Sequence, residues 1–244
     1  MNRGKKPSQH LRAKDETTLV DVSVYSFCDG FRLNCWLTLH TDKAGVDRSS
    51  IHTFFVSYMH QVSTWVHRNT GHPIRYLYVF ENPPPGSDPG KHGGFNIHVL
   101  LHLPRHLWPR FSSLTRGSLV RGWIKQAGGN YKPTVIVFDR LRWADRSDVD
   151  GYLRYGLLGT LLYVLKGLDP AVPSVLGVER QPQGVIHGKR SGYSRSLSPS
   201  KRTWTPEKLK RLRQARAVFG YDMLTDAPLL FNSSWQQEEI SHEL

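Results

Sequence analysis

Glu81, Asn96, His98, Tyr163 and Lys166 are the residues whose types and spacing in this chain point to chemistry. The stretch GGFNIHVLLHLP, Gly93 to Pro104, has the alternation of a strand, and on a strand residues two apart share a face. Asn96 and His98 can therefore approach one cation. His102 stands roughly 13 Å along the strand from His98, at about 3.3 Å per residue, and is a bystander for a mononuclear site. Glu81 closes the preceding β-branched and aromatic run, just before the connecting loop. A carboxylate, an imidazole and an amide carbonyl make a hard, oxygen-rich donor set suited to Mg²⁺ or Mn²⁺. The plain alternative is a His and an Asn hydrogen-bonded to loop backbone. In YVLKG, Tyr163 and Lys166 are one helical turn apart. A phenol, with a pKa near 10, becomes a nucleophile at neutral pH only beside a cation, and Lys166 offers one. The plain alternative here is a packed Tyr and a snorkelling Lys.

The elements that must carry these residues are legible from periodicity. Phe31 to Asp42 alternates Leu33, Cys35, Leu37 and Leu39 with polar or mixed partners, the pattern of a half-buried strand. Asp47 to Arg68 places Ile51, Phe54, Phe55, Tyr58, Val62, Trp65 and Val66 at helical steps. GHPIRYLYVFEN is a second strand, the Asn96 strand a third, and the short loop between them makes the two antiparallel neighbours. Helical periodicity is scattered over Arg105 to Gln126, KPTVIVFD is a fourth strand, and Val149 to Leu168 is a helix stopping before Asp169-Pro170. Pro206 to about Phe219 is a basic helix capped by Thr205. The order predicts an α+β fold, a central largely antiparallel sheet covered by helices with a basic C-terminal extension. The expected segments are a basic N-terminal tail over 1–28, a catalytic domain over 29–170, a basic Gly/Ser/Pro-rich linker over 171–204, the basic helix over 205–222 and an acidic tail over 223–244.

Charge narrows the partner. Lys and Arg number 33 against 20 Asp and Glu, a formal +13, and the excess is concentrated. Met1 to Lys14 holds five basic residues and no acidic one, and Arg180 to Arg216 holds eleven against Glu207 alone. Two such blocks favour a phosphate-backbone partner, with Lys189, Arg190, Arg195, Lys201, Arg202, Lys208 and Arg211 as the expected contacts. No apolar window suits a membrane span or a signal peptide, so the expected location is cytoplasmic with reduced thiols at Cys28 and Cys35. The phrase GSDPGKH lacks the spacing and the Ser or Thr of a phosphate-binding loop, so no nucleotide is expected.

Taken in order, these features resemble the HUH endonucleases, specifically the rolling-circle replication initiators of plasmids and phages. WLTLH around Thr38 matches that family's first-strand motif, VFE its strand ending in Glu81, NIHVLLH its histidine strand and YVLK its nucleophile helix. The resemblance spans about Phe31 to Lys166. One departure is clear: Asn96 replaces the first histidine, so an amide and an imidazole stand where the family has two imidazoles. The resemblance implies metal-dependent nicking of single-stranded DNA or an origin hairpin. Tyr163 would attack phosphorus to give a 5′-phosphotyrosyl enzyme and a free 3′-hydroxyl, with Glu81, His98 and Asn96 around Mg²⁺ or Mn²⁺ and Lys166 stabilising charge. A host helicase and DNA polymerase would then act on the nicked strand. Trp108, Trp143 or Tyr193 could stack on bases, while Tyr152 and Tyr155 are packing residues or a second nucleophile. The alternatives are a non-catalytic DNA-binding protein on the same fold, a relaxase or transposase of the superfamily, or a metal-dependent hydrolase of small substrates.

Overall fold

The computed structural model describes residues 7–84, 94–144 and 146–220. In chain order the elements are β1 (Pro7–Ser8), α1 (Ala13–Cys28), β2 (Cys35–His40), α2 (Ile51–Thr70), β3 (Tyr76–Glu81), β4 (Asn96–Leu101), α3 (Trp108–Leu114) and α4 (Ser118–Gln126). Then come β5 (Ile136–Arg140), α5 (Val149–Gly151), a π-helical segment Tyr152–Leu158, α6 (Gly159–Val164), β6 (Ile186–His187), β7 (Ser191–Tyr193) and α7 (Pro206–Phe219). Five strands form one antiparallel sheet in the order β5-β2-β4-β3-β7, and β1 pairs separately with β6. The α+β class expected from the element order holds, with helices on both faces.

Side-chain parity decides which face each residue serves. Cys35, Leu37 and Leu39 of β2, Phe80 of β3 and Ile97, Val99 and Leu101 of β4 pack on α2, α3 and α4. That layer buries the predicted stripe of α2, with Met59 added to it. The opposite parity, Leu77 and Val79 of β3 and Leu100 of β4, packs on α1, the π-helical segment, α6 and α7. Trp36, Thr38, Asn96, His98 and Glu81 share this second parity, so the polar residues singled out by type fall on the face that carries Tyr163. Thr205 caps α7 as anticipated, accepting from the Lys208 N–H at 3.3 Å.

Three segment assignments are corrected. Residues 13–28, expected within a basic tail, form α1, whose Leu19, Val20, Val22, Val24, Tyr25 and Phe27 are core. The stretch expected as a basic linker contains β6 and β7, and β7 completes the sheet beside β3. The helix over Val149 to Leu168 ends as a helix at Val164 and is π-helical over Tyr152–Leu158, so Lys166 lies in the turn that follows it. Gly151 and Gly156 let Arg142, Trp143 and Asp148 lie against this helix. A Cβ on Gly156 would sit 2.5 Å from the Arg142 carbonyl, and one on Gly151 would sit 2.6 Å from the Trp143 ring. The expected N-terminal charge over 1–6, the GSDPGKH loop and the acidic tail over 223–244 lie outside the described residues, apart from Pro7 onward.

Arg190 shows why the linker had to fold. Its guanidinium is 4 % exposed and donates to the carbonyls of Phe80, Gln183, Ser8 and Gly184, joining β3, β1 and the 183–184 turn. Burial lowers its pKa to about 10, against the pull of Glu81 and Asp15, so it stays charged at neutral pH. Arg190→Ala strips donors from buried carbonyls and is expected to destabilise the fold by about 2–4 kcal/mol in urea denaturation. Arg195→Ala, at an exposed position, should change it by less than about 0.5 kcal/mol.

Candidate active site

The site begins with sheet register. Glu81 lies opposite Asn96, Asn96 opposite His40, and His98 opposite Thr38. The side chains of three adjacent strands therefore form two polar rows at one end of the sheet. His98 Nε2 and Glu81 Oε2 are 3.1 Å apart, and both residues are buried. Lys166 enters from the turn after α6 and places Nζ 3.2 Å from the same Glu81 oxygen. The Nζ also sits 3.6 Å from the centroid of the Tyr163 ring. That ring meets His98 edge-on at 5.5 Å and Trp36 at 5.4 Å between centroids. Tyr163 is 38 % exposed, so an accessible phenol lies above a buried carboxylate, imidazole and ammonium.

Thr38 and Trp36 orient the imidazole. Trp36 Nε1 donates to Thr38 Oγ1 at 2.7 Å, and Thr38 Oγ1 is 3.1 Å from His98 Nδ1. Two proton arrangements satisfy this contact. If Thr38 donates to Nδ1, the His98 proton is on Nε2 and faces Glu81. If Nδ1–H donates to Thr38, Nε2 presents a lone pair to the carboxylate, and two electron-pair donors face each other. Among the described residues His98 Nε2 makes no aligned hydrogen bond, and Glu81 Oε1 is also buried without a partner. Two cis ligands at about 2.1 Å from an octahedral ion stand roughly 3 Å apart, close to the 3.1 Å between His98 Nε2 and Glu81 Oε2. That spacing, with Oε1 as a spare donor while Oε2 also meets Lys166, suits a divalent ion held by Glu81 and His98 and otherwise by water or phosphate oxygens.

Asn96 has a different partner. Its Oδ1, the atom through which it would ligate, lies 2.7 Å from His40 Nδ1. Burial, with Lys43 and His98 nearby, keeps His40 below the ordinary imidazole pKa despite the hydrogen bond to Asn96. Among the described residues no three His, Cys, Asp or Glu side chains converge on a metal position. His102 is turned to the Arg32 carbonyl, 2.8 Å away, as its distance along the strand requires.

The other residues named from sequence sort by burial. Tyr152 is fully buried and donates to the Leu33 carbonyl at 3.1 Å, whereas Tyr155 is 64 % exposed and lies against Trp143. Trp108 is core, its Nε1 bonded to the Leu103 carbonyl, and Tyr193 is half-buried in β7. Lys189, Arg195 and Lys201 are exposed. Arg190 is the buried strut already described and is not a surface contact. Lys208 pairs with Asp29 at 2.6 Å, Arg211 with Glu207 at 3.2 Å, and Arg202 lies over the Tyr25 ring. Sequence reasoning missed Trp36 and His40. Both share the parity of Thr38 on β2, which was the available signal.

Compared with protein-family models, with curated proteins and with solved structures, the chain matches none significantly. No helix among the described residues is long and apolar enough to cross a membrane.

Burial pushes the Glu81 carboxyl upward, but His98 and Lys166 outweigh it and hold it below the usual range. A carboxyl whose folded pKa is depressed adds stability above its unfolded pKa, near 4.5, and loses it as pH falls through the folded value. Urea stability of the wild type should therefore fall more steeply below about pH 4.5 than that of Glu81→Gln.

Proposed function

We propose that this protein nicks single-stranded DNA through Tyr163 and transfers the strand by a phosphotyrosyl intermediate, the reaction of the HUH endonucleases that its sequence resembles. The observation that carries the reading is the exposed Tyr163 ring against His98 and Lys166, with Lys166 ion-paired to the buried Glu81. The net charge of +13 supports a polyanionic substrate.

In this reading Tyr163 Oη attacks the scissile phosphorus as the 3′-oxygen departs with the bonding electrons. The phenolic proton goes to solvent, and the departing oxygen takes one up. The products are a 5′-phosphotyrosyl linkage and a 3′-hydroxyl end, which suits extension by a host polymerase in rolling-circle replication. Glu81 and His98 would hold a Mg²⁺ or Mn²⁺ ion, which supplies Lewis-acid charge at a phosphate oxygen when bound. Lys166 has two tasks. Its ammonium balances Glu81, and from the ring face it would stabilise negative charge in the transition state. Trp36 and Thr38 fix the His98 ring, so that its orientation does not depend on substrate. Asn96 acts at one remove, setting His40.

A second reading has an observation of its own. The Asn96–His40 pair, and the lack of a three-ligand cluster among the described residues, favour a DNA-binding protein that does not cleave.

Incubation with a random-sequence pool of labelled single-stranded DNA and Mn²⁺, followed by denaturing electrophoresis, separates the readings. Cleavage by Tyr163 predicts a covalent protein–DNA band that is lost in Tyr163→Phe, kept in Tyr155→Phe, reduced about a hundredfold or more in His98→Ala and abolished by chelation. An undiminished band in Tyr163→Phe refutes the nucleophile. DNA binding without any band supports the second reading.

A further inference from the structure

Beside the site, around the β5 edge of the sheet, runs a groove that the proposed chemistry does not use. One part, about 510 Å³, is lined by Asp139, Arg140, Leu141, Arg142, Trp143 and Arg146. The next part, about 570 Å³, shares Asp139 and Arg140 and continues past Phe138 to Arg105 and Trp108. Among the described lining residues four are arginines and one is a carboxylate. Asp139 is the register partner of Trp36, and Trp36 touches Tyr163, so the first part opens one strand away from the phenol and on the same face of the sheet.

One lining residue, Trp143, is paired with an exposed ring beside the groove, Tyr155. Trp143 and Tyr155 lie 5.7 Å apart at 36°, and Arg146 sits 4.3 Å above the indole. Trp143 is the one non-glycine residue with positive φ, 64°, among the described residues. A bulky residue is held in that conformation only when its surroundings over-determine it, and such strain concentrates at functional positions. Here Gly151 and Gly156 supply the close fit that holds the loop. Tyr155 is 64 % exposed, which is unusual for a large aromatic. On the helix, Tyr155, Gly159 and Tyr163 recur at four-residue steps along the exposed side. Eight residues of helix rise roughly 12 Å, the length of three to four stacked nucleotides at about 3.4 Å each.

We infer that the groove is the track of the single-stranded DNA, with a base stacked on Trp143 and Tyr155 and its phosphates held by Arg142 and Arg146, delivering the strand to Tyr163. Stacked aromatics interleaved with arginines form the general surface for a single strand, because every base has a π-face and every nucleotide a phosphate. Duplex DNA hides the base faces and would gain nothing from the exposed pair. The inference deepens the nicking reading and rests on it for where the strand leads, but strand binding is measured without cleavage. It also moves the expected contact surface from the C-terminal basic block to the β5 edge.

Fluorescence anisotropy of a labelled single-stranded oligonucleotide, in full-length Tyr163→Phe protein, tests it. Tyr155→Leu should weaken binding about five- to a hundredfold, while Tyr155→Phe, which keeps the ring, should retain it. Arg142→Ala with Arg146→Ala should lower the slope of log affinity against log salt by about 1.4. Lys201→Ala should change neither by more than one such contact. Unaltered affinity and salt slope in the groove variants overturn the inference even if the covalent band forms. Groove-dependent binding with no covalent band in the wild type sustains it while refuting nicking. Tighter binding of the matching RNA than of the DNA overturns the choice of DNA.

Discussion

An ionised carboxylate can be enclosed in a protein only where charge or hydrogen bonds replace its water, and Glu81 is 2 % exposed. That requirement organises the structure around it. His98 must come from the adjacent strand, which fixes the pairing of β3 with β4. Lys166 must come from the far helical layer, which fixes the turn after α6 and with it Tyr163. Removing either partner leaves a buried charge uncompensated, so the arrangement that positions the phenol is also one that the fold cannot easily relax.

The sheet is the part of this arrangement that sequence alone made legible. Alternation over Phe31 to Asp42 and over the Asn96 strand specified faces as well as strands, because a period of two leaves no freedom once one face is buried. The α2 stripe was equally clear. The pairing of Glu81 with His98 followed from a short loop and parity, and needed no knowledge of their chemistry. What stayed hidden depended on distant partners. The C-terminal half of α1, LVDVSVYSFC, is apolar nearly all round and rich in β-branched residues, so its period is blurred by burial on several sides. β7 reads Ser-Gly-Tyr, which no propensity marks as a strand. It is one because it pairs with β3 and because Arg190 beside it fills a cage of carbonyls.

Basic residues illustrate the same division. Counted along the chain, the stretch from Arg180 to Arg216 looks like one surface. Folded, it divides into an interior strut at Arg190, residues paired locally such as Lys208 and Arg211, and exposed residues such as Arg195 and Lys201. A charge count measures the field of the whole molecule, whereas the charge a ligand meets is set by which cations the fold has already engaged. At the β5 edge Arg140, Arg142 and Arg146 are close in sequence, and Arg105 joins them only when β5 takes its place in the sheet.

The π-helical segment Tyr152–Leu158 joins two surfaces that are fixed independently. Tyr152 is locked inward on the Leu33 carbonyl, and Tyr163 is held outward over Trp36. A π turn spends one residue more than an α turn, so the segment works as a phase adjuster between these anchors. Rewinding it as an α-helix of the same length would carry everything beyond it round the helix axis by about 100°, and every side chain in α6 would face a new neighbour. A helix of ordinary pitch with the same side chains could satisfy one anchor or the other, but not both.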